Sequence, residues 1–463
     1  MSVTVEDLME ISFIEARNTG SLKGVVCTGI STDSRSVQRG EIFFALRGES
    51  FDGHEFIDDA FSAGALLVVV DKRACIEQFQ EKPIIVVDDT TKALGKLANV
   101  YRKKFTIPLI AVAGSNGKTT TKEMIAAVLS TQGRVLSTKG NLNNHVGVPQ
   151  TLFRLERSHD VAVIEIGTNH FGELHYLCEI LEPTQGIITN IGHEHMEFFK
   201  NLNGVARAEG ELFDALGSSG VGFVNNDDAN IVAQARKVTN KVTYGISSTE
   251  VDVRGLPLSV DEKGCAAFSV TSINKEPFDV HLQVPGKHMV LNGIAAAAVG
   301  SSHGISPENI QHALENFTAV GKRMEVITVG DVTILNDSYN ANPDSVLAAL
   351  ETLASIKCEG KRIVVLADML ELGESSISEH QRIGKAVRRL ELEYVLTSGV
   401  LAAHITEKAT AKVNVHFEEK QKLSEYLVRL IAPGDIVLVK GSRGMKMEDV
   451  VTYLQERLGS KAA

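Results

Sequence analysis

The chain has no closely spaced cysteines, no basic excess and no long apolar run. Its five cysteines (Cys27, Cys75, Cys178, Cys265 and Cys358) are odd in number, far apart and form no Cys-x-x-Cys, so neither a disulfide framework nor a zinc site is expected. Burial is the expected fate of each. The net charge of −11 argues against a nucleic-acid or anionic-membrane surface, because both need a clustered basic field. Any anionic ligand must then be held by local devices. The N-terminal segment is acidic and the longest apolar runs, such as Ala65 to Val70, are strand-sized, so no stable membrane insertion is expected and the cytoplasm is the expected location. Internal repeats and low-complexity tracts are missing too. With 463 residues, 43% of them hydrophobic, the chain has ample core-forming material for about three domains.

The most informative stretch runs from Leu109 to Thr120. Five apolar residues that read as a buried strand lead into Gly114, Ser115, Asn116, Gly117, Lys118, Thr119 and Thr120, and an amphipathic helix follows (Met124, Ile125, Val128, Leu129). Glycines there let backbone N–H groups approach phosphate oxygens, Lys118 brings a cation to the β- and γ-phosphates, and the Thr119 hydroxyl can complete a Mg²⁺ shell at a helix N-terminus. The spacing is off-pattern, since a standard P-loop needs glycine where this chain has Val112. That shorter form narrows the candidates to a few ATP-dependent families.

Short β-rich runs (Glu41 to Leu46, Ala65 to Val70, Ile84 to Val87) alternate with helix-like segments up to about residue 105, which reads as a small α/β domain. A basic, turn-prone hinge, Tyr101 to Lys104, ends it. In the next domain Val161 to Ile166, Gly186 to Ile191 and Gly222 to Asn225 read as parallel core strands. Phe278, Val280, Leu282 and Val284 alternate with polar residues, as a half-exposed strand does. An alanine-rich helix from Asn292 to Val299 and a helix opened by Ser306-Pro307 follow. A third α/β segment begins near Gly321, with strands at Val332 to Leu335, Arg362 to Ala367, Tyr394 to Thr397 and Ile436 to Val439. The domains are therefore expected at 1–105, 106–320 and 321–463.

Several polar groups sit where strand ends gather side chains. Glu165 is the one carboxylate in the run Val161 to Gly167, and a lone buried carboxylate costs several kcal/mol unless it meets a cation. A metal is the economical partner. His195, in His193-Glu194-His195, follows a strand and can complete such a site, with a pair of satisfied loop histidines as the alternative. Arg323 and the run Asp337 to Ser345 suggest a binding loop, part of which is capping. In Lys440-Gly-Ser-Arg-Gly444 the amides, Lys440 and Arg443 can hold a carboxylate or phosphate, or form a solvated basic turn. Ser31 to Arg35 and Leu46 to His54 are polar loops at which something polar can dock.

These residues together resemble the Mur ligase family over essentially the whole chain. The marks are Ser31 to Arg35, Gly114 to Thr119, Gly140-Asn-Leu-Asn-Asn144 with Gly147-Val-Pro149, Glu165-Ile-Gly167, Thr189 to Gly192, Asp337 to Asn342, Asp368 to Gly373 and Lys440 to Arg443. The resemblance implies an α/β, three-domain architecture: an N-terminal UDP-sugar-binding domain, a central P-loop ATPase domain and a C-terminal Rossmann-like ligase domain. It implies a monomeric enzyme that uses ATP and Mg²⁺ to join D-Ala-D-Ala to UDP-MurNAc-tripeptide through an acyl phosphate, in peptidoglycan precursor synthesis. The alternatives are a Mur-type ligase adding a single amino acid and a non-catalytic P-loop regulator.

By the same resemblance, Lys118, Glu165, His195 and Glu209 are catalytic, and Thr119, Glu165, His195 and Glu209 bind metal. Asn292 and Asp337 contact the adenosine and Arg323 the γ-phosphate. Ser31, Thr32, Asp33, Ser34 and Arg35, with Arg47, Asp52 and His54, bind the UDP-sugar. Asn144, Tyr339, Asn340, Asn342, Ser442 and Arg443 contact the peptide or dipeptide. Many relatives carry a lysine, carbamylated by CO₂, where this chain has Glu209, and no lysine occurs between Lys200 and Lys237. The Glu209 carboxylate is thus expected to replace the carbamate; a solvated helix charge or a one-turn slip of alignment are the alternatives.

Overall fold

A computed structural model describes residues 3–48, 51–272 and 275–462. Glu49 and Ser50 of the loop from Leu46 to His54 lie outside the described residues. Three sheets organise the chain. In the first, strands Ile84–Val87, Leu67–Asp71, Ile42–Phe44 and Ile30–Ser31 run parallel and Glu15–Arg17 is added antiparallel at the edge. The second has nine strands, in the order Phe278–Pro285, Cys265–Ser272, Val253–Val260, Asn240–Gly245, Val221–Asn225, Gln185–Ile188, Leu109–Ala113, Val161–Glu165, Val135–Ser137. Its three C-terminal strands form an antiparallel meander and the others are parallel. The third has six strands, of which only the hairpin Glu325–Val329 and Val332–Asp337 is antiparallel. The architecture is α/β and built on three separate sheets, as expected.

The strand Leu109–Ala113 is apolar throughout because both of its faces are covered. Ile110 and Val112 enter the core beneath the helix Lys118–Leu129, whereas Leu109, Ala111 and Ala113 enter the core on the opposite face. Side chains of a strand alternate sides, so a five-residue apolar run is the pattern a central parallel strand demands. The half-exposed strand is also found: Val280, Leu282 and Val284 are buried while Asp279, His281 and Gln283 are exposed. Its antiparallel partner Cys265–Ser272, and the strand Val253–Val260 on the far side of that partner, are not signalled by any long apolar run.

Two expectations need correction. The stretch from Tyr101 to Lys104 is an anchor rather than a hinge: Tyr101 and Arg102 end the helix Thr90–Arg102 and are buried. Tyr101 donates to the Leu155 carbonyl at 2.7 Å and Arg102 Nε to the Leu181 carbonyl at 3.1 Å. Burial of all cysteines also fails, since Cys75 is exposed and Cys358 half-buried.

The meander positions the site through one ring. Phe268 is fully buried, and a Cβ placed on Gly293 would lie 2.9 Å from its Cζ, so the ring fixes the seat of the helix Met289–Ser302 that carries Asn292. Phe268→Ala is expected to lower stability by about 3–5 kcal/mol through the cavity it leaves, as measured by urea unfolding followed on the central domain.

Candidate active site

The phosphate loop is built by two glycines in the left-handed region. Gly114 has φ +115 and Gly117 φ +79. A Cβ on Gly114 would lie 2.3 Å from Thr189 Oγ1, and one on Gly117 would lie 2.9 Å from Asn292 Oδ1, so only glycine fits both places. No side chain caps the helix Lys118–Leu129, which leaves its first N–H groups and positive end directed at a ligand. The loop is braced from behind: Ser115 N donates to the Asn190 carbonyl at 2.9 Å, Asn116 N to Asn190 Oδ1 at 3.1 Å, and Gly192 N to Ser115 Oγ at 2.8 Å. Val112, where a longer loop would need glycine, is a buried strand residue in register with Glu165.

Above the loop lies a cavity of about 960 Å³ walled by the central and C-terminal domains. Its lining includes the loop residues Ser115 to Thr120, with Asn144, Glu165, His195 and Asn292, and, from the C-terminal domain, Arg323, Asp337, Tyr339, Asn340, Asn342, Ser442 and Arg443. The Arg323 guanidinium stacks 3.6 Å over the Tyr339 ring and that of Arg443 lies 5.4 Å from it, so two cations are held at the wall facing Lys118. Asp337 receives Lys440 Nζ at 2.6 Å and Met324 N at 3.1 Å. Lys440 is thereby buried and neutralised, which corrects its expected use as an anion holder. Ser442 Oγ accepts from Leu370 N at 2.9 Å. Asn342 caps the helix Pro343–Ser355 through Ser345 N and donates to Asn116 Oδ1 at 2.8 Å; its polar atoms bridge the two domains. The side-chain oxygen of Asn144 accepts from Val146 N at 3.2 Å and Gly147 N at 2.9 Å, at the start of the helix Gly147–Leu152.

The carboxylates are arranged around Lys118. Glu165 is buried and accepts from Thr119 Oγ1 at 2.7 Å and Asn143 Nδ2 at 2.9 Å. Glu209 is 1% exposed, which excludes a solvated helix charge. Its Oε2 accepts from Gly114 N at 2.7 Å, a contact that ties the helix Leu202–Ala215 to the phosphate loop. Lys118 Nζ donates to the Gly114 carbonyl and lies 3.5 Å from Glu194 Oε2. Burial opposes the Lys118 charge, but Glu194, Glu209 and Glu165 together hold its pKa above the ordinary lysine range. Glu209 is pushed up to about 8, first by burial and then by the charge of Glu194.

Glu194 also lines the cavity, although no motif marks it; its one signal in the sequence is an acidic residue in a loop that follows a core strand. His195, at φ +46, turns its Nδ1 to within 2.6 Å of Glu371 Oε2, an ion-pair distance without hydrogen-bond alignment. Its contact lowers the Glu371 pKa. His193 contacts Asp344 through both its backbone N, at 2.9 Å, and its ring Nδ1, at 3.1 Å. Among the described residues no group of three or more His, Cys, Asp or Glu side chains is placed to hold a metal by itself, so a cation here would need the nucleotide phosphates or water to complete its shell. The donor chemistry nevertheless fits a hard cation: Glu194 Oε1 and Glu209 Oε1 are buried carboxylate oxygens with no hydrogen-bond donor.

The N-terminal set stands apart from this cavity, at the carboxyl ends of the strands Ile30–Ser31 and Ile42–Phe44, where open α/β sheets take ligands. Asp33 caps the turn Ser34–Ser36 and chelates Arg35 at 2.9 and 2.7 Å, while Thr32 Oγ1 accepts from Gln150 of the central domain at 2.9 Å. Arg47 pairs with Asp52 and Asp71, and His54 Nδ1 lies 2.6 Å from Asp52 Oδ1.

The raised Glu209 pKa has a consequence for stability. The folded carboxyl keeps its proton to about pH 8, whereas an unfolded one loses it near 4.5. The native state therefore binds the extra proton across that window, and stability falls as pH rises through it. In EDTA, urea midpoints measured at several pH values in that window should decline for the wild type, and the slope should be shallower for Glu209→Gln; parallel slopes would contradict this assignment.

Comparison with known proteins agrees with the geometry. The model of the Mur ligase middle domain matches residues 112–300, that of the Mur ligase glutamate ligase domain 322–443, and that of the Mur ligase family catalytic domain 26–102. The UDP-N-acetylmuramoyl-tripeptide–D-alanyl-D-alanine ligase of Bacillus subtilis is 37% identical over 93% of this chain and 94% of its own. The enzyme of the same name from Escherichia coli is 36% identical, covering 98% and 99%. A crystal structure of MurF from Acinetobacter baumannii superposes with a TM-score of 0.90 at 32% identity, over 98% of this chain and 99% of that one. MurF from Thermotoga maritima in complex with ADP gives 0.83 at 26%, over 94% and 98%. With three family domains in order and full-length relatives at this identity, the chain belongs to the Mur ligase family.

Proposed function

We propose that this chain joins D-alanyl-D-alanine to the terminal carboxylate of UDP-MurNAc-tripeptide, with ATP converted to ADP and phosphate, in peptidoglycan precursor synthesis. The observation that carries the reading is the cavity in which the phosphate loop faces Arg323, Tyr339 and Arg443 across the domain boundary. The names of the full-length relatives and the ADP complex of one solved neighbour support it. We assign 1–105 to the UDP-sugar, 106–320 to ATP and 321–463 to closure and the amine, and a monomer in the cytoplasm as the working form.

A tripeptide carboxylate oxygen attacks the γ-phosphorus, the bond to the ADP oxygen breaks, and an acyl phosphate forms. The dipeptide amine then attacks the acyl carbon, loses its proton, and inorganic phosphate departs. The difficulty is electrostatic, since one anion must approach another. Lys118 and the uncapped helix N-terminus neutralise the β- and γ-phosphates from below, and Arg323 does so from above. Gly114, Ser115, Asn116, Gly117 and Thr120 shape the loop, while Asn292 and Asp337 hold the adenosine. Mg²⁺ held with the nucleotide by Thr119, Glu165, His195 and Glu209 would supply further positive charge to the phosphoryl oxygens. Asn144, Tyr339, Asn340, Asn342, Ser442 and Arg443 orient the peptide and the dipeptide. Ser31, Thr32, Asp33, Ser34, Arg35, Arg47, Asp52 and His54 grip the UDP-sugar.

A coupled phosphate-release assay tests this. Release should require UDP-MurNAc-tripeptide and D-Ala-D-Ala together, and Lys118→Ala should lower kcat/KM by roughly 10²–10³ through lost charge stabilisation. Equal release with a single amino acid would instead mark a different Mur-type ligase, and no release with any acceptor a regulator.

A further inference from the structure

We infer that Glu194 and Glu209 are a paired-carboxylate site for one hard divalent cation beside Lys118, with Glu194 a ligand of this chain's own. Three carboxylates, Glu165, Glu194 and Glu209, surround a single ammonium in a buried place. Glu165 has two donors, from Thr119 and Asn143. The other two do not reach that state. Glu209 spends Oε2 on Gly114 N and leaves Oε1 with nothing; Glu194 gives Oε2 to Lys118 at 3.5 Å and also leaves Oε1 with nothing. Glu209 is 1% exposed and Glu194 7%, so water does not freely satisfy them. A buried carboxylate oxygen without a donor costs about 1–3 kcal/mol or more, and two of them beside each other add like-charge repulsion. Without a cation, one can donate to the other only by holding a proton, and a bound cation would displace that proton and meet both oxygens at once.

A divalent cation between them resolves both deficits, and hard oxygen donors suit Mg²⁺ or Mn²⁺, which need only one or two carboxylates when phosphates and water complete the shell. Glu194 lines the nucleotide cavity whereas Glu209 lies behind the loop. Glu194 is therefore placed to set the cation's distance from the phosphates and Glu209 to tie it to the Gly114 amide. The inference deepens the ATP-ligase reading of this cavity and can be separated from it experimentally.

Mn²⁺ binding by the full-length protein, followed by electron paramagnetic resonance of free Mn²⁺ without nucleotide, is the test. The wild type should bind one Mn²⁺ that Glu194→Gln and Glu209→Gln each weaken at least tenfold. Melting adds a second reading: in EDTA at about pH 9, where both carboxyls are charged, Glu194→Gln should melt at or above the wild type because a repulsion has been removed, and it should lose the rise in Tm that Mn²⁺ gives the wild type. Mn²⁺ affinity unchanged in Glu194→Gln, as a pair that merely shares a proton would give, overturns the inference. Wild-type protein that binds no Mn²⁺ overturns it too. ADP binding measured in EDTA is read separately: its absence would sink the ATP reading while Mn²⁺ binding still decides the carboxylate pair.

Discussion

Lys118 is an ammonium set among three buried carboxylates, and much of the central domain holds it there. Charge of one sign cannot be concentrated in a dry pocket without a counter-charge, so the excess of acid over base at Glu165, Glu194 and Glu209 defines a place that a cationic partner completes. Each acid arrives from a different element: Glu165 from the strand Val161–Glu165, Glu194 from the loop after the strand Gln185–Ile188, with Leu109–Ala113 between the two, and Glu209 from a helix behind the phosphate loop. The nine-stranded sheet brings the first two together, because parallel strands deliver their carboxyl ends to one edge.

The loop Gly192 to His195 joins that pocket to the C-terminal domain. His193 meets Asp344, Glu194 meets Lys118 and His195 meets Glu371. Three consecutive side chains thus touch three different partners, two of them across the domain boundary, and His195 and Glu371 both adopt left-handed backbone conformations to do so. Residues held in such conformations cost about 1–3 kcal/mol each and persist where the surroundings enforce them. With the Asn342 to Asn116 bridge, these contacts make the cavity a property of two domains.

What was legible in the sequence was what local chemistry dictates. Gly114 to Thr120 could be read because a strand, a glycine pair and a lysine at a helix start have few other uses, and Glu165 because a carboxylate in an apolar run must be paired. Glu209 was found through a departure from family pattern, and its burial could not be seen from helix periodicity, since Ala206, Ala208 and Gly210 around it are small. Glu194 was hidden between two histidines. The strands Val253–Val260 and Cys265–Ser272 were hidden because their stability comes from pairing and from packing on the helix Met289–Ser302 rather than from apolar runs. The cap that Asn342 provides is local, but its bridge to Asn116 joins residues 226 positions apart and has no sequence signal. Long-range electrostatics and domain docking are what a sequence read locally does not contain.

The central claim is that this crowded pocket brings a carboxylate and the γ-phosphate of ATP together. It is tested most directly with UDP-MurNAc-tripeptide carrying ¹⁸O in its terminal carboxylate, turned over with ATP and D-Ala-D-Ala. Direct attack on phosphorus predicts one ¹⁸O transferred to inorganic phosphate per peptide bond formed; phosphate free of label would contradict the account.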